Sequence, residues 1–350
     1  MDILDFQQGP IRPPSEANSL LIRTTQGCPW NNCTFCTLYK GMDFTIRPVE
    51  DIKRDIWAAK KHYQGKTFTT CFLQDGDSFA MPTADLIDVL NTLTEAFPEL
   101  TQISSYGRAQ TMVKKSAAEM KAICDAGLNM LYCGMESGSV EVLRKAKKGI
   151  TPNSILKSSL HAKAAGMKMM VFVILGLGGK ELSVQHVTET AKLLNQINPE
   201  EIRLLSLAVK PGTEQASLVD SGKFSVLSEV EMIQEQQQLL RLLDGINSRY
   251  GNYHSINLLM ELNGKLPEDK TDFLDRIAQF LQLNLAKQHN FILGRRLGYY
   301  QRLTDLNNQL LFDTVQQELN RLKQLENDIT AVQQNGVLED TFHRLRQRLI

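Results

Sequence analysis

The stretch Gly27-Cys28-Pro29-Trp30-Asn31-Asn32-Cys33-Thr34-Phe35-Cys36 places three cysteines at C-x4-C-x2-C spacing. Three soft thiolates this close can grip one soft metal centre. Structural zinc would need a fourth ligand at tetrahedral geometry. The sequence offers no second C-x2-C and no paired histidines to supply one. An iron–sulfur cluster fits the pattern better. The same spacing opens a ferredoxin pattern whose fourth cysteine completes a [2Fe–2S] site, and Cys71 holds that place by position. Yet Cys71 lies in an apolar run, where a buried thiol is common. Three ligands on a four-iron cluster leave one iron with an open site, which a substrate or cosubstrate can occupy. An electron-transfer or cluster-carrier protein stands as the alternative to a catalytic one. All six cysteines precede residue 134. They are too few for a disulfide scaffold, and a reducing compartment keeps them as thiols.

Four further stretches put polar or glycine residues at the ends of apolar runs. Phe72-Leu73-Gln74-Asp75-Gly76-Asp77-Ser78 ends in an acceptor-rich turn suited to an ammonium group. Tyr132-Cys133-Gly134-Met135-Glu136-Ser137-Gly138-Ser139 is followed by Val142-Leu143-Arg144. Ser139 stands where a serine caps a following helix. Val173-Ile174-Leu175-Gly176-Leu177-Gly178-Gly179-Lys180-Glu181 allows close backbone approach. It is not a dinucleotide fingerprint, because G-x-G-G is not G-x-G-x-x-G. Lys210-Pro211-Gly212-Thr213 closes the series.

Alternating strands and helices position these turns. Short apolar runs around Leu20–Thr25, Thr67–Leu73, Gln102–Tyr106, Asn129–Met135, Met169–Leu175 and Ile202–Val209 read as strands. Helical stretches follow at Pro48–Tyr63, Thr83–Phe97, Lys115–Ala126, Asn153–Ala165, Ser183–Gln196 and Glu214–Gly222. This alternation with near-continuous apolar strands predicts an α/β fold with a parallel sheet. Periodicity alone leaves a doubly wound sheet and an incomplete barrel both open.

Composition changes near residue 224. The first part holds ten of the eleven prolines and every cysteine, while the remainder holds one proline and fifteen glutamines. That remainder reads as helices at Ser228–Tyr250, Lys270–Ala286, Leu306–Ile329 and Leu338–Leu349. The expected organisation is an N-terminal segment over 1–17, a core over 18–224 and a helical region over 225–350. Lys plus Arg equals Asp plus Glu at 39 each, which removes the usual electrostatic argument for nucleic acid or an anionic membrane. The acidic start Met1–Asp5 lacks a signal-peptide pattern and no apolar run spans a bilayer, so the expected address is cytoplasmic.

Taken in order, these motifs resemble the radical S-adenosylmethionine superfamily over about residues 18–224. The usual spacing there is C-x3-C-x2-C, so this chain has one extra residue in the first gap. Phe35 keeps the aromatic before the last cysteine. The resemblance implies a partial (β/α)6 barrel with its site at the C-terminal ends of the strands. It implies a [4Fe–4S] cluster on Cys28, Cys33 and Cys36, with S-adenosyl-L-methionine on the open iron. Asp75, Gly76 and Asp77 stand for the Gly-Gly-Glu motif that holds the methionyl amino group. Glu136, Ser137 and Arg144 match the stretch that meets ribose and carboxylate. Ile174 and Gly176 match the backbone along the adenine, and Arg108 is a further cosubstrate contact. Reductive cleavage would give a 5′-deoxyadenosyl radical that takes hydrogen from a substrate, with a flavodoxin- or ferredoxin-type reductant as partner.

The substrate is expected to be a small molecule. No cysteine follows Cys133 for an auxiliary cluster, no cobalamin-type D-x-H-x-x-G occurs, and residues 225–350 carry 14 basic against 16 acidic residues. That balance gives no surface for tRNA. Tyr253–Glu261 is expected to close the open side of the barrel, with His254 as acid or base toward the substrate. Gly294-Arg295-Arg296-Leu297-Gly298-Tyr299-Tyr300 either binds an anionic group or docks helices.

Overall fold

The computed structural model describes residues 11–324 and 331–349. The acidic start and the end of the helix expected to reach Ile329 lie outside the described residues. Among the described residues, six strands of four residues or more precede residue 210: β1 (Leu20–Arg23), β2 (Thr70–Gln74), β3 (Gln102–Tyr106), β4 (Leu128–Glu136), β5 (Lys168–Leu175) and β6 (Glu201–Ser206). Each is followed by a helix: α1 (Val49–His62), α2 (Thr83–Ala96), α3 (Ala117–Asp125), α4 (Pro152–Ala164), α5 (Gly179–Ile197) and α6 (Glu214–Asp220). The expected α/β class is therefore present, with six strand–helix steps in chain order.

By the density of internal contacts the chain divides into two units. One holds residues 1–135 and 149–171, the other 136–148 and 172–350. The boundary expected near residue 224 falls inside the second unit.

In the first unit β1, β2, β3 and β4 pair in parallel, in that order. Leu20 stands opposite Cys71, and Cys71 opposite Ile103. β2 is buried from Cys71 to Gln74, as a parallel strand covered on both faces must be. α1 carries Glu50 and Asp51 in its first turn and Lys60, Lys61 and His62 in its last, complementing the helix dipole. Ser116 and Glu119 cap α3 reciprocally. The N-terminal segment also contributes to this core. Buried Glu16 accepts from the hydroxyls of Ser104 (2.9 Å), Ser19 and Tyr132. Around it Phe72, Tyr106 and Tyr132 meet edge to face.

In the second unit the helical region is interrupted. The helix expected over Ser228–Tyr250 stops at Leu242, giving α7 (Glu229–Leu242). Gly245 turns in the left-handed region, and Arg249–Gly251 forms β7, parallel to β6. Asn263–Lys265 forms β8, antiparallel to β7. The helix expected over Lys270–Ala286 ends at Gln282 (α8, Lys270–Gln282). Asn284 then caps α9 (Leu285–Leu297), which the sequence reading left out. Two more follow, α10 (Gln309–Gln324) and α11 (Ala331–Gln347). Arg295 and Arg296 are buried in α9. Arg295 donates to the carbonyls of Leu258, Tyr300 and Asn257. Arg296 and Arg346 flank the buried Glu229 carboxylate at 2.5 and 3.2 Å. The basic-aromatic stretch at 294–300 thus docks helices.

Among the described residues, no helix is long and apolar enough to cross a membrane.

Candidate functional site

The cysteine loop leaves the end of β1 through Thr25–Gln26, which pairs antiparallel with Thr45–Ile46. Cys33 is buried, Cys28 and Cys36 are half-buried, and none is in a disulfide. Phe35 is half-buried between them. Among the described residues, no three His, Cys, Asp or Glu side chains converge on one point as a closed metal cage. Thiolate ligands are commonly drawn together as the metal binds. The frame of the loop is nonetheless fixed. Asn31 adopts a left-handed φ of 50°, and its Nδ2 donates to the Tyr39 carbonyl at 2.5 Å. The Arg108 guanidinium lies 5.8 Å from the Trp30 ring centroid. On Trp30, Gly149 leaves no room for a side chain, because a Cβ there would sit 2.3 Å from the ring. Arg108 Nη1 stands 3.5 Å from Cys28 Sγ, which places positive charge beside a sulfur expected to work as a thiolate.

The Asp-Gly-Asp turn packs directly on this loop. Gly76 donates its amide to the Gly27 carbonyl at 3.2 Å. A Cβ on Gly76 would lie 2.6 Å from that oxygen and 3.2 Å from Cys28 Cα, so only glycine fits undisturbed. Asp75 Oδ1 is 3.2 Å from Arg23 Nε, both nearly fully buried. Burial pushes the Asp75 carboxyl up, against the pull of Arg23. Asp77 is wholly buried. Its Oδ2 accepts from Thr111 Oγ1 at 2.8 Å and its Oδ1 from the Arg108 amide at 3.4 Å. Burial pushes this carboxyl up to about 7, although Thr111 and Arg108 act the other way. Asp77 therefore also anchors the short helical turn Ala109–Met112 after β3.

In the second unit, Glu136 ends β4 with a left-handed φ of 62° and is 7% exposed. Its Oε1 meets Lys148 Nζ at 2.7 Å. Its Oε2 is buried with no hydrogen-bond partner among the described residues. Ser137, fully buried, meets His186 Nδ1 at 2.8 Å and accepts from the Ser139 amide at 3.0 Å. Ser139 caps the short helix Val140–Lys145. Arg144 is not brought to Glu136 and Ser137. Its side chain is 67% exposed and holds Glu141 with two bonds of 2.9 and 2.7 Å. An arginine on the outer face of that helix reaches its i−3 neighbour most directly.

Gly176 turns at φ 80° after β5, and a Cβ there would come within 2.9 Å of Met232 Cε. Its amide donates to Glu235 Oε1 at 2.6 Å, and Ser183 donates its hydroxyl to Glu235 Oε2. Burial pushes the Glu235 carboxyl up to about 7. His186 Nε2 lies 3.8 Å from Glu235. Burial lowers His186 to about 4, and the imidazole also hydrogen-bonds the Ile174 backbone. Ile174 and Gly176 are thus held by α5 and α7.

Residues 22–194 match the profile described as the Radical SAM superfamily. The chain belongs to the radical SAM superfamily. An uncharacterized methyltransferase of Pyrococcus horikoshii is 26% identical over 195 residues, covering 55% of this chain and 40% of that protein. The tRNA-2-methylthio-N(6)-dimethylallyladenosine synthase of Alkalilimnicola ehrlichii is 24% identical over 245 residues, covering 67% of this chain and 51% of that protein. The chain therefore spans about half or less of the lengths of these two relatives. Coproporphyrinogen III oxidase of Escherichia coli, a radical SAM enzyme, superposes with a TM-score of 0.51 at 17% identity, over 64% of this chain and 52% of that one. That likeness is one of fold.

Membership of this superfamily implies a [4Fe–4S] cluster and S-adenosyl-L-methionine. The donor set suits the cluster: three soft thiols on one loop, a guanidinium beside one of them, and the buried Tyr39 hydroxyl lacking a hydrogen-bond partner among the described residues. The sequence reading missed Arg23, Tyr39, Thr111, His186 and Glu235. Glu235 did leave a signal, since it shares a helical stripe with Met232, Gln236, Leu239 and Leu240, where a charged residue is out of place.

Proposed function

We propose that Cys28, Cys33 and Cys36 ligate the cluster, that the Asp75–Asp77 turn takes the methionyl amino group, and that the enzyme abstracts hydrogen from a small-molecule substrate. The contact of Gly76 with Gly27 and Cys28 carries this reading. It fixes the acceptor turn against the thiolate loop, as joint binding of one cluster and its cosubstrate requires. When bound, the reduced cluster and S-adenosyl-L-methionine supply a 5′-deoxyadenosyl radical.

The chain's own residues bind and orient. Asp75, held by Arg23, and Asp77, held by Thr111, present carboxylate acceptors whose positions are set before the ligand arrives. Arg108 keeps positive charge at Cys28. The second oxygen of Glu136 takes a hydroxyl, and the backbone at Ile174 and Gly176 takes a flat apolar face, consistent with a nucleoside. Ser137 serves by holding His186 rather than by touching the ligand. His254 is the acid or base toward substrate. Burial, then Arg203, lowers its pKa, and Ile256 donates its amide to Nδ1 at 3.3 Å. A flavodoxin- or ferredoxin-type protein supplies the electron.

Anaerobic reconstitution followed by dithionite and an assay for 5′-deoxyadenosine tests the reading. Protein that binds about four irons yet forms no 5′-deoxyadenosine is an electron-transfer or cluster-carrier protein instead.

A further inference from the structure

Tyr39 stands three residues after Cys36 and is 5% exposed. Its carbonyl is engaged, accepting from Asn31 Nδ2 at 2.5 Å and from the Met42 amide at 3.1 Å. The hydroxyl is different. It is buried and has no hydrogen-bond partner among the described residues. A buried hydroxyl left in this way is costly, and native interiors pair nearly all such groups. An orphan beside a binding loop therefore points to a group that arrives later.

The surroundings say what kind of group. Burial first, and then Asp75, Tyr106, Cys28 and Cys36, all oppose ionisation of the phenol. The phenol stays an O–H, a hydrogen-bond donor. Two of those neighbours are sulfurs of the cluster loop. Asp75 is held beside Arg23 at 3.2 Å and does not accept from this hydroxyl.

We infer that Tyr39 donates a hydrogen bond to a sulfur of the cluster carried by Cys28, Cys33 and Cys36, and thereby raises its reduction potential. The inference rests on the cluster assignment proposed above. Reduction adds negative charge to the cluster, so a donor aimed at its sulfur favours the reduced state.

Tyr39→Phe removes the hydroxyl and keeps the ring. The full chain and this variant are reconstituted anaerobically, assayed for iron and titrated by electron paramagnetic resonance without cosubstrate. S-adenosyl-L-methionine affinity is then measured by calorimetry. Both proteins should hold about four irons. The variant's midpoint should fall by about 59 mV, a tenfold change in a one-electron equilibrium, while its cosubstrate affinity stays near wild type. An unchanged midpoint at full iron content overturns the inference. An unchanged midpoint with weakened binding also overturns it, and assigns the hydroxyl to the cosubstrate. If neither protein holds iron, the cluster assignment falls and this inference with it. Should the variant not fold, 3,5-difluorotyrosine placed at position 39 gives a more acidic donor. Its midpoint should rise above wild type, and no rise is decisive against the hydrogen bond.

Discussion

Gly76 donates its amide to the carbonyl of Gly27 at 3.2 Å, and a single added carbon on Gly76 would press to 2.6 Å from the same oxygen. Two segments far apart in sequence, the cysteine loop and the acceptor turn, are thereby built as one structure. Displacing either moves the other, because backbone atoms meet on both sides.

Gly76→Ala should therefore disturb both partners. Overpacking of this kind costs about 1–3 kcal/mol. The variant is expected to fold with a lowered Tm and to take up less iron on reconstitution. Normal iron content with unaltered cosubstrate affinity would show that the two segments work independently.

Cys28→Ala, Cys33→Ala and Cys36→Ala should each lose the cluster, measured as iron and sulfide per chain. Cys71→Ala should keep it. Cys71 is fully buried inside β2, and burial pushes its thiol far up, which suits a packed thiol rather than a ligand. Comparable iron loss in Cys71→Ala would bring back the ferredoxin-like arrangement.

The six strands were legible because β-branched and apolar runs between Gly- and Pro-marked turns leave a period that needs no tertiary information. The helices expected from Lys115 and from Ser228 begin at reciprocal caps, Ser116 with Glu119 and Ser228 with Glu231. The break after Leu242 was not legible. Residues 228–250 keep apolar spacing, and only Gly245 in its left-handed turn and the pairing of Tyr250 with Ile202 end the helix. At the site, the cysteines and the Asp-Gly-Asp turn could be read because they are contiguous. Arg23 pairs with Asp75 far along the chain, and Tyr39 leaves its hydroxyl without a partner among the described residues, so no local spacing marks either; Glu235 is marked only by its place in an apolar helical stripe. For Arg144 the motif fixes a position in sequence, while the exposed helix face and Glu141 decide where the side chain points.

Asp77 should make cosubstrate affinity depend on pH. Its carboxyl is held up to about 7 by burial, against an ordinary 3.8. In the cosubstrate-free protein, its contribution to stability is full below the ordinary value and is lost as pH rises through about 7. An ammonium ligand favours the ionised form, so affinity should climb between about pH 6 and 8 and then level off. Calorimetric titration of the reconstituted protein across that range checks this, and Asp77→Asn should flatten the profile. Asp77→Ala should keep the cluster and weaken binding roughly 10–150-fold, the equivalent of about 1.5–3 kcal/mol.

Glu235 ties α7 to the turn at Gly176 through the 2.6 Å bond to its amide. Glu235→Ala leaves that amide and the Ser183 hydroxyl without their acceptor, at a cost of about 1.5–3 kcal/mol in stability. We expect a lower Tm and roughly tenfold weaker S-adenosyl-L-methionine binding. Glu235→Gln keeps an acceptor for Gly176 and should recover most of both. Wild-type binding by a folded Glu235→Ala protein would mean that α7 supports the turn without serving the cosubstrate.

The segment after β7 gives the sharpest separation of substrate handling from radical generation, but only one of its two polar candidates is a clean probe. Asn257 is buried, accepts from Ser206 Oγ at 3.0 Å, and donates to the carbonyls of Leu204 at 2.8 Å and Asn252 at 3.1 Å. Asn257→Ala strands all three groups and should cost about 1–3 kcal/mol in stability, so lost activity there would say little about chemistry. His254 is half-buried, with Nδ1 occupied by the Ile256 amide, and its lowered pKa keeps the ring neutral near pH 7. A neutral imidazole held in this way can accept or return a proton at Nε2. His254→Ala should therefore leave the fold and the uncoupled formation of 5′-deoxyadenosine close to wild type while slowing substrate turnover about 10²–10⁴-fold, the usual range for losing a general acid or base. His254→Gln should restore little, since it keeps a hydrogen bond but not a titrating group. Once a substrate is in hand, the pH profile of turnover should show an acidic limb in the wild type, from protonation of His254, and lose it in the variant. If folded His254→Ala protein fails to form 5′-deoxyadenosine even without substrate, the histidine supports radical generation and the substrate's acid–base group lies elsewhere.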